Sequence, residues 1–397
     1  MRRLCWMMLF CCWTLAWAQP PRHFRHFTEK DGLSDNRVQA IVRDARGYVW
    51  IGTANGLNRY DGYNFRHYLP NPAHPERSVC NELINDLKID RKGLMWIATN
   101  NGLNCYDPAK ETFRKWINVG RNDGSLPNPM VWQILLDAQD RPWLSVDNKG
   151  ICRYDAASDR FILYPWRAYV QKVLPETLPD AYLRIYALSH RNAHAFWLHT
   201  NVGVFSFDWR AETFEHFPIP AKLDIAPDVS DCSETAYFGS WYRNLLRYDP
   251  CTRNWTQLCI PASGVAECAG QHVTEIWPYN NGKIILTQLG IYWLPDGAAT
   301  VQPIPGFEHE EAETPKGVVT DAYTDSDNGL WIGGEGGLWL AEPFQRNFEY
   351  IQLREQSNTD NANCYIRFLE LPGDTLLALN FYYHKLSLVS GGKILKS

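Results

Sequence analysis

The sequence is short of most features that would point to chemistry. It has no Cys-x-x-Cys pair and no Cys/His cluster at zinc-finger spacing, which removes the common structural zinc sites and the dithiol redox motif. There is no Gly-x-Ser-x-Gly elbow and no His-Glu-x-x-His helix motif, so neither an α/β-hydrolase nor a zincin is indicated. Basic charge is not in excess: the formal net charge is -5, which argues against nucleic acid and anionic membranes as partners. After residue 18 no apolar run approaches the 18 residues that a transmembrane helix needs. The chain beyond that point reads as soluble, with no membrane contact.

The first 18 residues read differently. Arg2 and Arg3 precede an apolar run, Leu4 to Ala18, that ends in Ala16-Trp17-Ala18. A basic start, a short apolar core and small residues before a cleavage point are the layout of a secretory signal peptide. The mature chain is expected from about Gln19, exported to the periplasm. Export permits disulfides. Cys251, Cys259 and Cys268 lie close enough in sequence for one local bridge, and the other cysteines read mainly as small buried apolar residues.

A repeat dominates the rest. Trp50-Ile51-Gly52-Thr53-Ala54-Asn55-Gly56-Leu57-Asn58-Arg59-Tyr60-Asp61 returns as Trp96-Ile97-Ala98-Thr99-Asn100-Asn101-Gly102-Leu103-Asn104-Cys105-Tyr106-Asp107. Weaker copies centre on Trp143, Trp197, Phe238, Ile285, Trp331 and Leu376, so that the centres from Trp50 onward are spaced by 46, 47, 54, 41, 47, 46 and 45 residues. A period in the forties with strand-type content indicates propeller blades. In the first unit Val38 to Asp44 alternates apolar and polar, Tyr48 to Thr53 and Leu57 to Asp61 flank an Asn55-Gly56 hairpin, and Phe65 to Tyr68 supplies a fourth strand. The next unit repeats this over Leu83 to Asp90, Leu94 to Thr99, Leu103 to Asp107 and Phe113 to Trp116.

Phe24 to Thr28 resembles a fourth strand with no blade before it. A ring must close, and an N-terminal strand that completes the last blade removes an open edge. The expected fold is all-β: a seven-bladed β-propeller over residues 19–345, closed by that strand, after a signal peptide over 1–18. A single eight-bladed ring is the alternative. Residues 346–397 would be the first strands of a second, truncated propeller, with Phe348 to Leu353 as its own leading strand and a poorly anchored tail.

The pattern also resembles the two-component regulator propellers, periplasmic sensor domains of hybrid two-component histidine kinases. Ile41-Val42-Arg43-Asp44, Gly47, Trp50 to Thr53, Gly56-Leu57 and Tyr60-Asp61 carry the likeness, as do Leu87 to Asp90, Gly93 and Trp96 to Asp107. So does the opening Phe27-Thr28-Glu29-Lys30-Asp31-Gly32-Leu33-Ser34. The resemblance implies two propellers, an immunoglobulin-like domain, a membrane span and a kinase in the parent architecture, and often sensing of oligosaccharides from complex glycans. No kinase histidine box appears in these 397 residues, so the chain reads as a binding module and not an enzyme.

Three motifs read as structure. Asp325-x-Asp327-x-Gly329 looks like the start of a calcium loop but falls at the turn between first and second strands and lacks the later ligands. Gly333 to Gly337 sits between two strands, where a hairpin is expected, and not before a helix. The carboxylates of Glu308 to Glu313 around His309 read as a solvated loop. No catalytic residue, metal ligand or cofactor site is assigned.

Function is expected where the repeat breaks. Blade five replaces the short second-to-third-strand turn with Trp241-Tyr242-Arg243-Asn244, and the connection after blade three carries Trp166 and Arg167. With Asn148 and Asn201 from the turns of blades three and four, Trp166, Arg167, Trp241, Tyr242 and Arg243 are the candidate ligand-binding residues. Aromatic faces stack on sugars, while Arg and Asn hydrogen-bond hydroxyls and acidic groups. An oligosaccharide or other small ligand is the expected partner, met by this face or between the propellers of a homodimer. A secreted glycan hydrolase or lyase and a protein-binding scaffold are the competing readings. The recurring Trp50, Trp96, Trp143, Trp197 and Trp331 are assigned to the core.

Overall fold

The computed structural model describes residues 24–118, 120, 124–176, 182–220, 227–230, 236–240, 245–260, 273–279, 282–287, 290–303, 318–326, 329–341, 367–371, 375–380, 385–390 and 393–396. Residues 1–343 form one compact unit and 344–397 another. The first unit holds seven four-stranded antiparallel sheets. Blade one is Val38–Arg43, Val49–Thr53, Gly56–Tyr60 and Phe65–Tyr68. Its Thr53↔Gly56 pair closes the hairpin that Asn55-Gly56 predicts, with Gly56 at φ 100° where side chains are disfavoured. Blades two to six repeat the order, each strand pairing with its sequence neighbour.

Blade seven has three strands of its own, Val319–Thr324, Leu330–Gly334 and Gly337–Ala341. Its fourth is Arg25–Phe27, paired as Arg25↔Leu340, His26↔Trp339 and Phe27↔Leu338. The expected closing strand is therefore present. His26 stacks flat on Trp339 with 4.6 Å between ring centroids, and its Nε2 bonds the Gly336 carbonyl at 2.9 Å. Blade seven also meets blade one directly: Val38, Ile41 and Val49 share one buried cluster with Trp331 and Leu338. A Cβ on Gly333 would stand 2.4 Å from Val38 Cγ1. Seven blades thus close the ring, and the eight-bladed alternative is set aside.

The repeat tryptophans fill the space between blades. Trp50, Trp96, Trp143, Trp197 and Trp331 are all buried. The indole Nε1 donates to the aspartate six residues earlier: Trp50 to Asp44 at 2.9 Å, Trp96 to Asp90 at 3.4 Å, Trp143 to Asp137 at 2.9 Å and Trp331 to Asp325 at 2.9 Å. The other carboxylate oxygen caps the turn, as where Asp44 Oδ1 accepts from the backbone of Arg46 and Tyr48. Asp325 likewise accepts from Gly329 N, so its carboxylate serves the turn and the indole; Asp327 lies outside the described residues. Blade four departs from the rule. Arg191 replaces the aspartate, its guanidinium lying over the Trp197 ring at 4.9 Å and donating to Glu215 and Ser206.

Strand register corrects two blade centres. Tyr237 pairs with Arg247 as Trp50 pairs with Arg59, and Ile284 pairs with Trp293 in the same way. The tryptophan position is therefore Tyr237 in blade five and Ile284 in blade six, one residue before Phe238 and Ile285. In blade five the glycine that follows confirms the shift: a Cβ on Gly239 would meet Val273 of the next blade, as one on Gly52 would meet Ile84.

In the second unit Arg367–Leu371, Thr375–Asn380, Lys385–Ser390 and Lys393–Lys396 pair in sequence order as a four-stranded sheet. Phe348 to Leu353 lies outside the described residues. Among the cysteines, Cys259 is disulfide-bonded, while Cys80, Cys105, Cys152 and Cys251 are free thiols. Cys105 and Cys152 are buried as expected, and burial pushes the Cys105 thiol up to about 12.

Candidate functional site

The innermost strands expose backbone groups that no further strand can pair. A two-pronged latch to the next blade satisfies them. In blade two Asn85 Nδ2 donates to the Val131 carbonyl at 2.7 Å, and Asp86 Oδ2 accepts from Ile134 N at 2.8 Å. At the ring closure Thr320 Oγ1 donates to the Val38 carbonyl and Asp321 Oδ2 accepts from Ile41 N at 2.6 Å. A bulge in the first strand, at Ile84/Asp86 and at Val319/Asp321, turns both side chains toward the neighbouring blade.

Blade three keeps one prong and diverts the other. Gln133 Oε1 still accepts from Leu188 N of blade four. Trp132 holds the place of Asn85 and Thr320, but its Nε1 donates at 2.8 Å to Asp147 Oδ2. Asp147 sits in the turn after blade three's second strand, one residue longer than the turn of blade one. The same oxygen accepts from Tyr182 Oη at 2.8 Å and lies 3.6 Å from Arg184 Nε. The Arg184 guanidinium stands between two rings, 5.4 Å from the Trp132 centroid and 5.4 Å from that of Tyr182. Asp147 is 3% exposed and its Oδ1 meets no donor among the described residues. Tyr182, by contrast, is 51% exposed. Burial, and after it the Asp147 carboxylate, pushes the Tyr182 phenol above its ordinary range.

The turns on either side fix this stack. Asn148 N donates to the Leu183 carbonyl at 2.8 Å, and Asn148 Oδ1 accepts from Leu183 N and from Arg167. Asn148 is at φ 58°, a conformation asparagine tolerates better than most residues. On the other side Asn201 Nδ2 donates to the Tyr182 carbonyl at 2.7 Å, and its Oδ1 accepts from Arg184 N at 2.8 Å. Segment 182–184 is thus held between the turns of blades three and four, with Tyr182 outward and Arg184 beneath it.

The expected residues divide accordingly. Asn148, Arg167 and Asn201 meet at this place. Trp166 does not join them: it is fully buried against Phe205 and Val170, so its ring has no face for a ligand. The helix Arg167–Val173 covers it with Val170, an apolar packing need that the sequence alone did not separate from a sugar-stacking one. Trp241, Tyr242 and Arg243 lie outside the described residues, as do Glu308 to Glu313. Trp132, Asp147, Tyr182 and Arg184 were missed by sequence reasoning. Their signal was Trp132 at the position where blades two and seven carry Asn85 and Thr320.

Elsewhere, a shallow depression of about 400 Å3 beside blade one is lined by His67, His74 and Arg77 among others. His67 there already bonds the Gly32 carbonyl at 2.7 Å. Among the described residues no group of three or more His, Cys, Asp or Glu could hold a metal ion. Nor is any helix there long and apolar enough to cross a membrane.

The family model described as Two component regulator propeller matches residues 32–55, the stretch that holds the first strand of blade one and Trp50. The chain carries a two-component regulator propeller repeat. Histidine kinase P4 of Formosa agariphila is 47% identical over 49 residues, which is 12% of this chain and 4% of that protein. The extracellular domain of the BT3049 hybrid two-component system from B. thetaiotaomicron superposes with TM-score 0.67 and 19% identity over 94% of the chain and 49% of that domain. The BT4673 extracellular domain from the same organism gives TM-score 0.63 and 16% identity over 90% and 44%. Virginiamycin B lyase from Staphylococcus aureus gives TM-score 0.58 and 16% identity over 80% and 97%. At such identities the likeness is one of fold. The chain spans about half the length of the two extracellular domains it matches.

Proposed function

We propose that this chain is the extracellular ligand-sensing propeller of a hybrid two-component sensor, exported to the periplasm, and that it binds an oligosaccharide on the turn face of blades three and four. The observation that carries the reading is Tyr182: 51% exposed, yet locked by Asp147 and Arg184. A half-exposed aromatic ring usually moves. One fixed from below offers a stacking plane whose ordering cost is already met before a sugar arrives. Asn148, which accepts from Arg167, and Asn201 hold the backbone on either side of it. In this reading Trp241, Tyr242 and Arg243 extend the same face from the equivalent turn of blade five, and no cofactor takes part. A homodimer that brings two such faces together fits the reading, and the sheet of 367–396 is proposed as the first blade of a second propeller after 19–345. The likeness to extracellular domains of hybrid two-component systems supports the sensor assignment.

A lyase reading has one observation in its favour, the likeness that covers 97% of virginiamycin B lyase. Calorimetry of the purified chain against an oligosaccharide panel separates the two, with product analysis by chromatography. Saturable binding with the probe recovered intact is the expected result. Cleavage of the probe overturns the sensor reading, and a scaffold that binds only proteins would give neither.

A further inference from the structure

We infer that Trp132 is a positioning residue of the Tyr182 face: its ring backs Arg184 so that Tyr182 is held in place, and blade three gives up one blade-to-blade bond to put it there. The inference rests on the reading of this face as a binding surface, and it names a residue that serves the face without touching a ligand.

Blade two shows what this position otherwise does. Asn85 Nδ2 carries two N–H groups and reaches two acceptors: the Val131 carbonyl of the next blade at 2.7 Å, and Asn100 Oδ1 in the turn of its own blade at 3.0 Å. Asn100 lies two residues after Ala98, which pairs with Asp86. Asp147 lies two after Ser145, whose backbone and hydroxyl bond the backbone of Gln133. Trp132 and Asp147 therefore stand where Asn85 and Asn100 stand. An indole has a single N–H. Here it goes to the turn, to Asp147 Oδ2 at 2.8 Å. None is left for blade four, where Ile185 pairs with Thr200 as Val38 pairs with Thr53. An asparagine would have a donor for each, so the bond to Asp147 does not account for a tryptophan. The ring does. Its centroid is 5.4 Å from the Arg184 guanidinium, and the Tyr182 centroid is equally far. A guanidinium on a flexible stem loses freedom against aromatic faces. Tyr182 is then held at its ring by Arg184 and at its hydroxyl by Asp147. A repeat rule broken in this way marks a position kept for a site rather than for the fold.

The test compares W132F, which keeps a ring, with W132N, which keeps a donor for Asp147 and has a second for the Ile185 carbonyl. In the ligand-free chain the hold on Tyr182 is read by tetranitromethane nitration and peptide mass spectrometry, with Tyr63, 89% exposed, as internal reference. Nitration takes the phenolate, which the bond to Asp147 disfavours. Native Tyr182 should react about tenfold more slowly than Tyr63, W132F should stay within about twofold of native, and W132N should speed Tyr182 about threefold or more with Tyr63 unchanged. W132N should also melt about 1–2 °C above W132A, which has neither donor. Calorimetry uses cellotetraose, maltotetraose and mannotetraose as probes. A probe that the native chain binds should weaken about fivefold or more in W132N and stay within about twofold in W132F. Equal nitration of Tyr182 in the native chain, W132F and W132N would overturn the inference, and so would W132N melting no higher than W132A. Tyr182 released in W132N, with no tetrasaccharide bound by the native chain, would sink the carbohydrate reading and leave the role of Trp132 standing.

Discussion

The indole of Trp143 donates to Asp137 Oδ2 at 2.9 Å from a fully buried position. That bond, like its counterparts in blades one, two and seven, ties the turn after the first strand to the core between blades. Asp137 also accepts from Gln139 N and Arg141 N and from the Arg141 side chain at 2.7 Å. Burial opposes its charge, but the bonds from Trp143, Arg141 and Gln139 prevail and hold the carboxyl below its usual range. Asp137→Ala leaves several buried donors without acceptors, and a loss of about 3 kcal/mol is expected in urea denaturation. Trp143→Phe, which removes only the indole donor and some packing, should lose about 1–2 kcal/mol. Equal stability in both variants would show that the pair is ornamental.

Face and core should separate by mutation. Tyr182→Ala is expected to weaken oligosaccharide binding tenfold or more and to shift the melting temperature by under about 2 °C. Trp96→Ala, in the core between blades two and three, should lose about 3–5 kcal/mol while the folded fraction binds normally. Thermal scans and calorimetry of the two variants check this.

The closing seam is expected to respond to pH. Asp321 accepts from Ile41 N and Ala322 N, and from blade two Lys88 and Asp86 act on it. Burial first, with Asp86 adding and Lys88 opposing, raises its carboxyl to about 7 from an ordinary 3.8. A raised folded-state value means the group contributes fully below 3.8 and gives up that contribution as pH rises through about 7. Carboxylates with lowered values, such as Asp137, run the other way, so the comparison is with Asp321→Asn. The stability of the native chain relative to that variant should decline between pH 4 and 7 and level off above. A difference independent of pH would contradict the assignment.

Steric closeness at the same seam gives a further test. Gly333→Ala would place a methyl 2.4 Å from Val38 Cγ1, and Gly52→Ala would do the same against Ile84 at 2.5 Å. Each should lose about 1–3 kcal/mol by overpacking. Unchanged melting temperatures would mean that the blades can part to make room.

Much of this architecture was legible in the residues. The Trp50 and Trp96 phrases, and the orphan strand Phe24 to Thr28, were enough for the ring and its closure, because blade geometry repeats and a closing strand must resemble a fourth strand. Blades five and six slipped by one position because Tyr237 and Ile284 replace the tryptophan, and a neighbouring Phe238 or Ile285 is equally apolar; only strand pairing tells them apart. The site was half legible. Asn148 and Asn201 stood out as turn residues. Asp147, Tyr182 and Arg184 did not, because their meaning comes from Trp132, which lies 50 residues before Tyr182 and reaches Asp147 across the sheet. Trp166 misled for the opposite reason: an aromatic beside an arginine in a long connection looks like a binding pair, and here it is the underside of a short helix.

The pairing of Arg25–Phe27 with Leu338–Leu340 joins residues more than 300 positions apart. During synthesis the strand Arg25–Phe27 therefore emerges long before its partner and stays unpaired until nearly the whole ring has followed. Until then two sticky borders coexist, one at each end of the nascent sheet stack, and either could capture a strand from another molecule. Chaperone demand should accordingly peak late in synthesis, and a tag fused just ahead of Phe24 would fall on the very strand whose arrival seals the circle.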